Sequence, residues 1–214
     1  MSLRAESRAV VFLVVAGAIL WTPMALLLMG RPPAFLRNLG FFSGPPGPPV
    51  AWVLGFIVAV LYAGFAVRKI PLVRQHWRAV SWLKLLGIVI AVAAATVEEA
   101  FFRRWLMDSL MRAGWPAAGQ ILASGLAFGA AHGLWGVVTG RLMVGLRAMM
   151  ATGIVGLALA AVYCIGERSL APVIVSHFIV TATIQPGILI AAFSGEMGGR
   201  AGPEEFRRGD DART

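Results

Sequence analysis

The chain has 214 residues, 58% of them hydrophobic and 14% charged, with a mean hydropathy of +0.78 and a formal net charge of +9. The apolar residues come in long runs and not in a 3.6-residue stripe, which excludes a soluble globular domain. The Lys and Arg residues flank those runs and form no basic stripe interleaved with aromatics, so nucleic acid is set aside as a partner and the lipid bilayer takes its place.

At ~20 residues per span, the pattern predicts an all-α polytopic transmembrane helix bundle of about six spans. They fall at 9–30, 50–67, 83–107, 116–138, 148–166 and 171–193, and form a single domain over 1–193. The start, MSLRAESRAV, resembles a signal peptide, but its apolar run continues to Met29 without a clear small-residue cleavage site, so it reads as a retained first span. RPPAFLRNLGFFSGPPGPP is too rich in Pro and Gly to stay helical. RKIPLVRQHWRAVSWLK, with Arg68, Lys69, Arg74, Arg78, Lys84, Trp77 and Trp82, reads as an interfacial segment, and His76 belongs to it. The lone Cys164 excludes an intramolecular disulfide and reads as a free core cysteine. The polar stretch 194–214 reads as a disordered C-terminal tail. Most Lys and Arg residues fall on the side of the N-terminus, the second and fourth loops and the tail. The positive-inside rule then puts both termini in the cytoplasm, for a protein expected in the bacterial inner membrane.

Two adjacent carboxylates break this apolar background. Glu98 and Glu99 lie inside LLGIVIAVAAATVEEAFF, where an ionised carboxylate costs on the order of 3 kcal/mol at a helix centre. Arg103 follows Glu99 by four residues, so the two share a helix face and can pair, while Glu98 points about 100° away and stays freer to exchange protons. His132 (LAFGAAHGLWG) falls on the fourth span, among Gly125, Gly129, Gly133 and Gly136, whose spacing lets another helix approach closely. His177 (SLAPVIVSHFIVTA) falls on the sixth. Carboxylates and imidazoles on three spans fit two kinds of chemistry. One is hydrolysis, with a carboxylate and an imidazole activating a water and a second imidazole donating to the oxyanion. The same residues could instead hold a divalent metal such as zinc. The other is transport, with the acid and His residues acting as a proton relay, although the paired broken helices usual in carriers are missing from the sequence.

Glu98-Glu99-x-x-x-Arg103, Phe128-x-x-x-His132, and His177 after Ser169-Leu170-x-Pro172 resemble, in order, the three motifs of the CPBP (CAAX-prenyl-protease and bacteriocin-processing, Abi) family of intramembrane endopeptidases. The match covers roughly residues 85–190. The resemblance implies an intramembrane protease acting on a membrane-associated protein or peptide; the alternative is a non-catalytic family relative or a proton-coupled membrane carrier. Glu98 and His132 would activate the water, His177 would serve the oxyanion, and Glu99 and Arg103 would shape the site. If a metal takes part, Glu98, His132 and His177 are its ligands. The chain departs from the family pattern at Thr181, where Asn or Asp is usual. The threonine hydroxyl is a shorter donor, and Gln185, one turn further on, is a possible substitute. Counted along straight spans, Glu98 lies about 21 Å from Lys84 and His132 about 14 Å from Arg141. Convergence of the two therefore demands helix tilt, a funnel or a revised boundary.

Overall fold

The computed structural model describes residues 3–30, 46–195 and 197; the inter-span segment 31–45 and most of the tail lie outside it. The described residues form helices and no strand: α1 Leu3–Gly30, α2 Pro49–Lys69, α3 Pro71–His76, α4 Trp82–Glu99, a π-helical segment Ala100–Met107, α5 Asp108–Arg112, α6 Ala117–Gly133, α7 Trp135–Thr139, α8 Leu142–Ile165, α9 Ala171–Ile184 and α10 Gly187–Ser194. Five helical stretches are long and apolar enough to cross a membrane, and α9 with α10 makes a sixth if counted as one span bent by 57°. The architecture is the expected all-α membrane bundle, with two differences. The third span runs on to Arg112 and is not α-helical throughout, and the sixth is broken. Large apolar side chains such as Phe56, Leu61, Leu126 and Ile154 point outward, as a lipid-facing surface requires.

Proline and small residues set the element ends and their packing. α2 and α3 each begin with Pro at a first-turn position, where its missing N–H is harmless. α4 is capped by Ser81, whose hydroxyl accepts the Lys84 amide at 3.1 Å. α6 and α8 pack backbone to backbone along the glycines. A Cβ at Gly129 would lie 2.7 Å from the Met149 carbonyl and 2.9 Å from Gly153 Cα, and one at Gly145 would lie 2.6 Å from the Gly133 carbonyl. Close approach of this kind is what small residues provide between membrane helices.

Lys84 departs from its expected place among the interfacial cations. It is buried, and its Nζ donates to the carbonyls of Ala182, Thr183 and Gln185 at 2.5, 3.1 and 2.7 Å. These are carbonyls freed at the end of α9, so the ammonium satisfies acceptors that a broken helix would leave open. The α8–α9 turn holds Glu167 and Arg168 at φ 53° and 62°, a left-handed conformation that costs non-glycine residues on the order of 1–3 kcal/mol each.

Candidate active site

Glu98 and Glu99 close α4, Arg103 lies in the π-helical segment, His132 ends α6 and His177 sits two turns into α9. The π-helical stretch turns Phe102, Arg103 and Met107 inward together, a spacing of one then four residues. Neighbouring polar groups satisfy its widened backbone: the Ser124 hydroxyl on α6 donates to the Phe102 carbonyl at 3.1 Å. Such segments recur at functional sites, and this one follows the two glutamates directly.

Glu99 and Arg103 are both fully buried, with Oε2 and Nε 3.0 Å apart, so the expected i,i+4 pair is present. Arg103 also donates through Nη2 to the Gly156 carbonyl at 3.3 Å, and its guanidinium lies 5.0 Å from the centre of the Phe128 ring. Glu99 has a second partner that spacing alone does not reveal: His177 donates through Nδ1 to Glu99 Oε1 at 2.8 Å. One carboxylate thus bridges a guanidinium and an imidazole, and fixes the ring as acid partners of catalytic and metal-bound histidines do.

Glu98 faces the other way. Its Oε2 lies 3.8 Å from His132 Nε2 and 3.9 Å from His177 Nε2, and has no hydrogen-bond partner among the described residues. His132 donates through Nδ1 to the Phe128 carbonyl at 2.9 Å. With both Nδ1 atoms committed as donors, each ring turns its Nε2 toward Glu98. The side chains of Glu98 and His132 are 26% and 23% exposed, against 9% for His177.

Phe128 organises this arrangement. Its ring lies 4.5 Å from that of His132, 5.6 Å from His177 and 5.2 Å from Phe102, while its carbonyl orients His132. The spacing Phe128-x-x-x-His132 carries that role, since a residue four positions back offers both a carbonyl and a ring on the same face. Gly156, whose carbonyl Arg103 uses, carried no such sequence signal. Thr181 lies one turn beyond His177 on α9, and its hydroxyl makes no hydrogen bond among the described residues. Gln185 sits at the far end of α9, with its Cβ against Gly87 and its carbonyl on Lys84, about 12 Å along the helix from His177. It is thus separated from Glu98, the correction to its suggested substitution for Thr181. His76 bonds within α3, to the Leu72 carbonyl at 2.8 Å, and Cys164 is a free, half-buried thiol.

A metal is the remaining question for these donors. Among the described residues no group of three or more His, Cys, Asp or Glu is arranged to hold one. Two ligands at zinc distances in a tetrahedral site lie about 3.3 Å apart. The separations of 3.8 and 3.9 Å at Glu98 are wider, and leave room for a water within hydrogen-bonding reach of both sides.

Glu98, His132 and His177 converge because the straight-span distances start from points that do not hold: Lys84 is buried against the end of α9, and the helix is interrupted between His132 and Arg141, where α6 gives way to α7. A family model described as type II CAAX prenyl endopeptidase Rce1-like matches residues 80–183, a stretch that includes all of Glu98, Glu99, Arg103, His132, His177 and Thr181. No curated protein and no solved structure matches the chain. Motif order, the helices that carry it and the family match agree: residues 80–183 of this integral membrane protein match the Rce1-like family of type II CAAX prenyl endopeptidases.

Proposed function

We propose that the protein is an intramembrane endopeptidase that hydrolyses a peptide bond of a membrane-associated protein or peptide with a water activated by Glu98. The observation that carries this reading is the single oxygen, Glu98 Oε2, faced by the Nε2 atoms of His132 and His177 at 3.8 and 3.9 Å. Water placed there donates one proton to Glu98 and the other to His132 Nε2, which leaves an oxygen lone pair for the scissile carbonyl carbon. As the C–O bond forms, the proton passes to Glu98 and negative charge collects on the carbonyl oxygen. His177 in its imidazolium form keeps Nδ1–H on Glu99 and donates Nε2–H to that oxyanion. When the C–N bond breaks, Glu98 returns that proton to the leaving nitrogen. The second water proton passes from the new carboxyl group through His132 Nε2 to the same nitrogen, so one water and one peptide bond give one carboxylate and one ammonium.

Charge balance favours this assignment. Arg103 and the His177 imidazolium are two cations, and Glu98 and Glu99 are two anions, grouped where a bilayer tolerates net charge poorly. The donors suit zinc by type but not by their spacing, so no step here is routed through a metal. The test is cleavage of a membrane-anchored peptide by purified protein in liposomes. Glu98→Gln and His132→Ala should each cut turnover at least about 10²-fold, and full activity in both would overturn the reading. Persistence of activity in strong chelator, with elemental analysis of the same sample, checks the water-only chemistry.

A further inference from the structure

A second polar cluster lies away from the glutamates and joins the same helices. Arg168, in the turn that leads into α9, donates to Asp108 Oδ1 through Nη1 and to Gln120 Oε1 through Nη2. Tyr163 on α8 donates its hydroxyl to the same Asp108 oxygen at 3.1 Å, and Gln120 donates on to the Trp115 carbonyl at 2.7 Å. Arg104 Nε lies 3.8 Å from Asp108 Oδ2. Tyr163 and Gln120 are buried, and the Asp108 side chain is largely so.

Membership is what gives the cluster meaning. Asp108 continues the helix that carries Glu98, Glu99 and Arg103. Gln120 is on α6, which ends in His132. Arg168 immediately precedes α9, which carries His177. One guanidinium therefore ties together the three elements whose side chains meet at Glu98, and its planar fork reaches two acceptors on two of them at once. Arg168 holds this position from a left-handed backbone conformation that its residue type disfavours.

We propose that Arg168 is a positioning residue: it registers the helices of Glu98, His132 and His177 against one another, about 14–18 Å along those helices from the site. The role rests on the function read above, so its test carries one readout that needs no cleavage. Arg168→Gly removes the guanidinium and relaxes the backbone at the same time, leaving the turn free to form. Glu167→Gly relaxes the neighbouring backbone position and leaves the guanidinium in place.

With ¹⁵N-histidine-labelled protein in nanodiscs, the chain's three histidines report separately. In Arg168→Gly the signals of His132 and His177 should shift or broaden while that of His76 stays put, and kcat per folded molecule should fall about 10²-fold with KM little changed. Glu167→Gly should match the wild type in both. Arg168→Lys keeps the charge, loses the fork and should move the same signals, which serves if the glycine variant fails to fold. Wild-type histidine spectra in both Arg168 variants would overturn the positioning role. Shifted spectra in a protein that cleaves nothing would leave the positioning intact and overturn the endopeptidase reading instead.

Discussion

The half of the site around Glu99 is closed. Its carboxylate is fully buried, paired with Arg103 and bonded to His177, so each oxygen faces a partner and neither is exposed. The half around Glu98 is open: a quarter of that side chain is exposed, and the nearest imidazole nitrogens stand off at 3.8 and 3.9 Å. Neighbouring residues of the same type thus occupy opposite environments, because consecutive positions on a helix diverge by about 100°. Burial with partners makes a carboxylate a fixed element of structure. Partial exposure beside imidazole nitrogens leaves it able to move a proton.

The largest expected effect breaks the open half. Glu98→Gln keeps size and polarity but removes the base, and should cost 10²–10⁴-fold in kcat with a melting temperature close to wild type. The closed half should fail in the opposite way. Glu99→Gln strands the Arg103 guanidinium in the core and should destabilise the protein by about 3–5 kcal/mol, read as a fall in the thermal unfolding midpoint in detergent. If Glu99→Gln were instead as stable as wild type and merely inactive, the division between the two halves would not hold.

Smaller effects sharpen the same contrast. Gly129→Ala sets a methyl group against the Met149 carbonyl and Gly153, and should cost about 1–3 kcal/mol by prising α6 from α8. Activity should fall with it, since His132 ends the helix that moves. The least effect is expected from Thr181→Ala: with no hydrogen bond to lose among the described residues, kcat should stay within about tenfold of wild type. A loss of 10²–10³-fold would instead mark its hydroxyl as an oxyanion donor.

Much of this was legible in the residues. Long apolar runs determine helices that a bilayer can accept, because a backbone in hydrocarbon must satisfy its own hydrogen bonds. The Glu99–Arg103 pair follows from four-residue spacing, and the close packing of α6 on α8 from the recurring glycines. Lys84 was not legible as a helix cap: a cation two residues inside a span reads as an interfacial charge until the broken end of α9 is seen to lie over it. Nor was the break itself, which divides an apolar run with no polar signal beyond Gln185 and Pro186.

Sequence alone determined which residue types are present and which helix faces they share, because those follow from local geometry with a fixed period. Only the tertiary structure decided that Glu99, not Glu98, holds His177, and that one oxygen of Glu98 meets two imidazoles from α6 and α9. Contacts between helices depend on tilt, on a bend and on a π-helical turn, and each of these is set by packing against neighbours far away in the chain.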